Sequence, residues 1–311
     1  MQRLSRSVTE NEKFLVIEMK KILLVYNPVS GRGIFKKKLY GVIEKFQRRN
    51  ILTAIYLTEK ENTAEDFWEC VKSFGAEGIV SAGGDGTLHR VVNWIKKFDL
   101  NLPVGIIGSG TSNDFATHLK ISDSEKYFDA IAENKIRAVD LGKVGEEFFI
   151  KVASAGAFTS IAHEVDSKKK NALGKFAYYL RGIEELPKFK TVHLQVTADE
   201  KFFELEAFLF LVLNSSAVAG LKKISDVAKI DDGKLDFLAL KKCSPRQLLN
   251  LSKKILSGES IQSEENIFYL QAKNFEIKSE IELISDLDGE IGDKLPLKIE
   301  TVPKAINFYT I

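Results

Sequence analysis

Cysteine, histidine and net charge are all scarce in this sequence. Cys70 and Cys243 are the only cysteines in 311 residues and lie far apart, so neither a disulfide framework nor a metal site is indicated. We expect both to be inert packing residues in a reducing cytoplasm. The four histidines share no ligand spacing, and each is expected at the surface or in packing. A formal net charge of +2 argues against a nucleic-acid partner.

Long apolar runs are missing as well. The longest, from Ala207 to Leu213, fits a buried strand and is too short to span a bilayer, so no transmembrane segment is expected. Residues 1–20 lack the apolar core of a signal peptide, and we expect them to be an extension before the first domain. The remaining chain, with 44% hydrophobic residues overall, is long enough for two domains.

The stretch from Glu77 to Trp94 carries the strongest chemical signal. A short apolar run at 78–82 predicts a buried strand, residues 83–86 are Gly-Gly-Asp-Gly, and a helical pattern starts at Thr87. Glycines between a strand end and a helix start present backbone N–H groups to an anion. Asp85 would repel a bare phosphate, so the loop suits a phosphate accompanied by Mg²⁺. The alternative is a tight turn whose glycines serve geometry alone.

Strands and helices alternate through the first half of the chain, which predicts an α/β domain at 21–138 with a doubly wound parallel sheet. Ligands bind beyond the carboxyl ends of such strands, where the glycine-bearing loops lie. The second half, 139–311, is β-rich, and its last strand could return to the first domain. Its expected strands lie at 138–144, 148–154, 191–197, 201–214, 235–240, 263–271, 274–278, 282–285 and 297–301, with helices at 171–186 and 245–256.

Five motifs occur in order along the chain. They are Asn27-Pro28 with Ser30-Gly31, Gly83-Gly84-Asp85-Gly86-Thr87, Gly110-Thr111-Ser112-Asn113-Asp114-Phe115-Ala116, Asp232-Gly233, and Asp288-Gly289-Glu290. Together they resemble the diacylglycerol kinase catalytic-domain family, and within it the bacterial soluble lipid kinases, which are similar to sphingosine kinases. The resemblance implies an NAD-kinase-like α/β domain followed by a β-sandwich-like domain.

The resemblance also implies an activity and a set of site residues. It implies an ATP-dependent kinase of a lipid hydroxyl, with Glu290 as the general base. A nucleotide loop is implied at Gly83, Gly84, Asp85, Gly86 and Thr87, with further ATP contacts from Asn27, Thr58 and Thr111. A structural Mg²⁺ site is implied at Asp232 with the carbonyls of Lys229 and Lys234. The plain alternative for both Asp-Gly pairs is a turn without chemistry.

Two pairs of residues depart from the family pattern. His89-Arg90 stands where an Asn-Glu pair usually follows the glycine loop, and Gly108-Ser109 replaces the usual pair before Gly-Thr. A cation in place of the carboxylate would either favour phosphate directly or weaken the contacts to Mg²⁺ or adenine. We therefore treat nucleotide affinity and turnover as open.

Several partners and rival functions stay open. A lipid kinase is expected to be cytoplasmic and to meet the membrane surface transiently, and the lysines at 168–170, before an apolar-faced helix, are one candidate contact. A homodimer is compatible with the sequence. The rivals are a kinase of a soluble acceptor, resembling NAD kinases, and a non-catalytic regulator that responds to nucleotide or lipid. The identity of the acceptor lipid is not indicated.

Overall fold

The computed structural model describes residues 19–30, 34–59, 61–108, 115–116, 119, 121–156, 191–216 and 228–311. Thr111, the lysines at 168–170 and the helix expected at 171–186 lie outside the described residues. Within those residues the chain forms five helices and fifteen strands, and the strands belong to one hydrogen-bonded sheet. None of the described helices has both the length and the apolar character that crossing a bilayer requires.

The elements are named in chain order. The helices are α1 (Ile34–Gln47), α2 (Ala64–Phe74), α3 (Asp85–Lys97), α4 (Glu125–Ala132) and α5 (Pro245–Ser257). The strands are β1 (Lys20–Tyr26), β2 (Ile51–Leu57), β3 (Gly78–Gly83), β4 (Val104–Gly108), β5 (Ile136–Val144), β6 (Glu147–Phe149), β7 (Val152–Gly156), β8 (Val192–Ala198), β9 (Lys201–Leu213), β10 (Leu235–Lys241), β11 (Ile267–Ala272), β12 (Asn274–Ser279), β13 (Ile284–Leu287), β14 (Glu290–Lys294) and β15 (Leu297–Tyr309).

The first half of the chain builds a parallel sheet in the order β2-β1-β3-β4, with β15 next to β4. The strands β1, β3 and β4 are largely buried apolar runs because helices cover both faces of the sheet there. Leu23 packs in one apolar cluster with side chains of α2 and α3, whereas Leu24 packs in a second cluster with side chains of α1 and α4. The doubly wound α/β fold expected from the sequence is confirmed.

The second half is mostly antiparallel, in the order β14-β13-β7-β9-β8-β12-β15, and β10 and β11 continue from β9. Stacked rings of Phe210, Phe237 and Phe275 help to fill one apolar interior. Leu248 and Leu251 of α5 close another cluster over β9 and β10. The β-rich, sandwich-like second half is confirmed as well.

Strand β15 joins the two halves into one sheet. It pairs with β12 and β5 in antiparallel orientation and, at Phe308, with Val104 of β4 in parallel orientation. The expected strand at 297–301 was therefore too short. An irregularity around Lys304, where φ is 50°, turns the backbone N–H of that residue to the buried Asp140 carboxylate, 2.7 Å away, and the strand then resumes.

Two further strand predictions were wrong in detail. A single strand was expected at 148–154, but β6 ends at Phe149 and β7 begins at Val152. The N–H groups of Ile150 and Lys151 donate to the Asp288 carboxylate, and neither residue belongs to a strand. The strand expected at 263–271 is β11, which starts later, and β14 was not expected, since its exposed charged residues lack apolar alternation.

The close contact between Gly142 and Phe149 allows a prediction about the free energy of unfolding. This contact lies next to the segment that binds Asp288. A β-carbon on Gly142 would lie 2.0 Å from the Phe149 ring. Gly142→Ala should lower the free energy of unfolding by about 1–3 kcal/mol through overpacking. In Gly41→Ala, the control within α1, nothing lies within 4 Å of the added carbon, and stability should rise by about 0.5–1 kcal/mol. Urea titration measures both, and equal stability of the two variants would contradict the packing.

Candidate active site

The loops after β1, β2 and β3 are held side by side at the carboxyl edge of the parallel sheet. The N–H of Asn27 donates to the carbonyl of Ala82 at 3.1 Å, and the N–H of Thr58 donates to the carbonyl of Tyr26 at 2.9 Å. The ladder thus continues one residue beyond β1 and β2. It places Asn27 beside the end of β3 and Thr58 beside the end of β1, and both residues are expected to bind nucleotide.

The glycine loop connects β3 to α3 and has little room for side chains. Gly84 is the N-cap residue of α3 and offers no side-chain cap, so the N–H groups of the first turn face the loop. A β-carbon on Gly83 would lie 2.3 Å from Thr87 Oγ1, so this position requires glycine. Asn27 Nδ2 donates to the same Thr87 oxygen at 3.2 Å. Four of the predicted contacts, Asn27, Gly83, Gly84 and Thr87, therefore form one structural unit.

Asp85 lies in the first turn of α3 and pairs with a lysine from the other half of the chain. Lys151 Nζ is 3.2 Å from Asp85 Oδ2, and each side chain is only 6% exposed. This pair was not predicted from the sequence. The available signal was a lysine inside an otherwise apolar stretch, from Phe148 to Ala153, where a strand was expected to be buried.

The Asp288 carboxylate is hydrogen-bonded by groups from two other segments of the chain. Its oxygens accept the N–H groups of Ile150, Lys151 and Val152 at 2.7, 2.8 and 3.0 Å, and Oδ2 lies 3.2 Å from His89 Nδ1. Burial alone would raise the pKa of Asp288. The hydrogen bond with His89 and the charge of Lys151 outweigh burial, so the pKa lies below its ordinary value. Asp288 is therefore an ionised anchor inside the protein.

The turn that carries Asp288 also presents Glu290. Asp288 and Gly289 have φ angles of 56° and 102° and form the turn of the β13–β14 hairpin. Glu290 follows as the first residue of β14 and is exposed. A β-carbon added to Gly86 would lie 2.9 Å from Glu290 Oε1. The hairpin thus brings a solvent-accessible carboxylate against the glycine loop, and the Asp-Gly pair serves as a turn at the same time.

His89 is neither a surface residue nor a plain packing residue. It is buried, and besides Asp288 it contacts Asn93, whose Nδ2 is 3.3 Å from His89 Nε2. Asn93 in turn bonds the N–H and the carbonyl of Phe148, which ties α3 to β6. Burial alone would lower the pKa of His89, but the hydrogen bond with Asp288 and the charges of Asp288 and Glu290 raise it above its ordinary value.

Arg90 binds the loop after β2. Its guanidinium donates to the carbonyls of Glu59 and Asn62 at 2.8 and 2.7 Å and lies over the Trp94 ring. The loop so fixed includes the chain just beyond Thr58. The departure at 89 and 90 therefore supplies two internal contacts of the site, one to Asp288 and one to this loop.

The Asp232 turn is built differently. Asp232 and Lys234 are exposed, the N–H of Lys234 donates to Asp232 Oδ1 at 3.1 Å, and the N–H of Gly233 donates to Asp140 Oδ2 at 2.6 Å. Burial, with a further contribution from the Asp232 charge, raises the pKa of the neighbouring Asp236. Among the described residues no three His, Cys, Asp or Glu side chains group around a metal position. A single carboxylate with main-chain carbonyls and water still fits Mg²⁺, which keeps several waters.

The His89–Asp288 pair generates a pH prediction. Because the pKa of His89 is raised by Asp288, Glu290 and Glu147, its contribution to stability is complete below the unfolded value of about 6.5 and is lost as pH rises through the folded pKa. Asp288 stays ionised throughout that range. The loss of unfolding free energy in His89→Asn should therefore be larger at pH 6 than at pH 9. Urea titrations at both pH values measure it, and a pH-independent loss would contradict the pairing.

Comparisons with known proteins find a family match in each half of the chain. Residues 21–144 match the family described as diacylglycerol kinase catalytic domain, and residues 151–310 match the family described as YegS C-terminal NAD kinase beta sandwich-like domain. The gap between the two matches, residues 145–150, contains β6 and ends at Ile150, the first of the residues whose N–H groups bind Asp288.

Relatives of similar length resemble the chain almost from end to end. The diacylglycerol kinase of Bacillus subtilis (strain 168) is 35% identical over 280 residues, covering 89% of this chain and 92% of that protein. The diacylglycerol kinase of Staphylococcus haemolyticus (strain JCSC1435) is 35% identical over 288 residues, covering 92% and 87%. A crystal structure of a diacylglycerol kinase from Bacillus anthracis str. Sterne superposes with a TM-score of 0.78 at 25% identity, covering 94% and 98%. The chain belongs to the diacylglycerol kinase catalytic-domain family.

Proposed function

We propose that this protein is an ATP-dependent lipid kinase that transfers the γ-phosphate to the hydroxyl of a lipid such as diacylglycerol. The observation that supports this most directly is the position of Glu290, whose carboxylate lies against Gly86 in the glycine loop. A base at the loop that would hold the phosphates is what transfer to a hydroxyl requires. The names of the relatives support the choice of a lipid acceptor.

The nucleotide would be held at the start of α3. Backbone N–H groups of Gly84, Asp85 and Gly86 would donate to phosphate oxygens, and the positive end of the α3 dipole would favour their charge. The N–H of Thr87 instead donates to the carbonyl of Gly84 at 3.0 Å. Asn27 and Thr58 would line the same edge, where the extended ladder holds them. Thr111 lies outside the described residues and enters the proposal on the motif alone.

The transfer itself needs one proton acceptor. Glu290 would take the proton from the lipid hydroxyl, whose oxygen forms a bond to the γ-phosphorus, while the bond from that phosphorus to the bridging oxygen of the leaving ADP breaks. Mg²⁺, when bound with the nucleotide, supplies positive charge for the phosphate oxygens. The glycine loop would bind and orient the phosphates of the nucleotide. Asp288 fixes the turn from which Glu290 projects.

The lipid acceptor implies a place of action. We propose a cytoplasmic protein that meets the membrane surface transiently to reach its substrate. The β-rich half would receive the lipid, since the hairpin that carries Glu290 belongs to it. Which lipid enters is a matter for the acceptor assay.

Glu290→Gln tests the proposal. The glutamine keeps the size of the side chain and removes the base, so transfer of labelled phosphate from ATP to diacylglycerol in mixed micelles should fall by about 10²–10⁴-fold. Glu282→Gln is the matched control, because Glu282 is an exposed glutamate paired with Lys294 of the same hairpin. Its activity should stay at the wild-type level.

The acceptor is tested in parallel with a total lipid extract and with NAD. Label in a lipid band that disappears in Glu290→Gln supports the lipid kinase. Label in NAD would contradict the lipid kinase and support a kinase of a soluble acceptor. Nucleotide binding without transfer to any acceptor would support a non-catalytic regulator.

The proposed Mg²⁺ site at Asp232, with the carbonyls of Lys229 and Lys234, is tested by metal removal. Without nucleotide, Mg²⁺ added after EDTA treatment should raise the Tm of the wild type by a few degrees, because a ligand at one hundred times its Kd adds about 2.7 kcal/mol. Asp232→Asn should abolish this rise. Asp231→Asn is the control, since the neighbouring Asp231 pairs with Arg137, and should retain it. An equal rise in all three proteins would exclude the site.

A further inference from the structure

The proposed phosphoryl transfer gives no role to the Lys151–Asp85 ion pair. Both side chains are only 6% exposed, and the pair lies at the first turn of α3, where phosphate would bind. A buried ion pair generally adds little stability compared with apolar residues of similar volume, because both charges lose their hydration. Stability alone is therefore a weak reason for a lysine at this position.

Electrostatics gives a stronger reason. Asp85 alone would add a negative charge to the loop and would oppose a phosphate that lacks a metal ion. Lys151 at 3.2 Å cancels that charge. Because a lysine has three donors, its ammonium can serve Asp85 and a phosphate oxygen together.

The backbone holds Lys151 at this place from the other side. Its N–H donates to Asp288 Oδ1 at 2.8 Å, and the N–H groups of Ile150 and Val152 flank it on the same carboxylate. Asp288, which holds the turn before Glu290, thus also fixes the backbone from which the Lys151 side chain extends. Lys151 is bound to the β13–β14 hairpin through its backbone and to the glycine loop through its ammonium.

We propose that Lys151 is a resident cation of the nucleotide loop, which binds the terminal phosphates and makes nucleotide binding less dependent on Mg²⁺. This inference rests on the proposed function, because it assumes that nucleotide occupies the loop. It assigns to a residue of the β-rich half a direct contact with the nucleotide bound by the α/β half.

The test measures the affinity of a non-hydrolysable ATP analogue by calorimetry, once with EDTA and once with Mg²⁺. The quantity compared is the ratio of the metal-free Kd to the Kd with Mg²⁺. In Lys151→Met this ratio should rise by about tenfold or more, because the variant leaves the Asp85 charge uncompensated. Lys151→Arg should restore metal-free binding. Lys143→Met is the control, since Lys143 pairs with Glu300 at 3.7 Å, and its ratio should match the wild type.

Asp85→Asn gives an independent reading if Lys151→Met does not fold. It leaves the ammonium without its counter-charge, so metal-free nucleotide should bind more tightly than in the wild type. An unchanged ratio in a folded Lys151→Met, or weaker metal-free binding in Asp85→Asn, overturns the inference and leaves the proposed function standing. No binding of the analogue to the wild type under either condition overturns both.

Discussion

A single buried carboxylate organises the candidate site. Asp288 has no side-chain exposure, yet it is ionised, because three backbone N–H groups and His89 surround it. A charge in such a place is tolerated only when every donor is in position. The hairpin of β13 and β14, the segment between β6 and β7, and helix α3 are therefore fixed relative to one another at one point. The position of Glu290 against the glycine loop depends on that arrangement.

The parts of the fold that were predictable from sequence depend on local patterns. Strands buried on both faces are continuous apolar runs, and the helices between them show one apolar face, so the α/β half could be derived from its order alone. The division of the expected strand at 148–154 into β6 and β7 could not be derived from a local pattern. The N–H groups of Ile150 and Lys151 do not join a strand ladder. They donate to the carboxylate of Asp288, which lies 138 and 137 positions later in the chain. No local pattern encodes such a partner.

The same limit applies to the site. The glycine loop and the Asp-Gly-Glu turn could be named because each is a short motif, and the structure brings Glu290 and Gly86 together. Lys151 and His89 could not be paired with Asp85 and Asp288, because each pair joins segments that meet only after folding. His89 and Arg90 were noted as departures from the family pattern. Their partners, Asp288 and the carbonyls of Glu59 and Asn62, are known only from the fold.

Strand β15 follows the other described strands in the chain, yet it lies inside the sheet, between β12 and β4. While the ribosome is still making the chain, β4 has no partner on that side, and its backbone groups form an open edge. The α/β half is synthesised first but completes its sheet last. From the synthesis of β4 until that of β15, the nascent chain therefore carries an unpaired parallel strand, which is the kind of surface that chaperones shield.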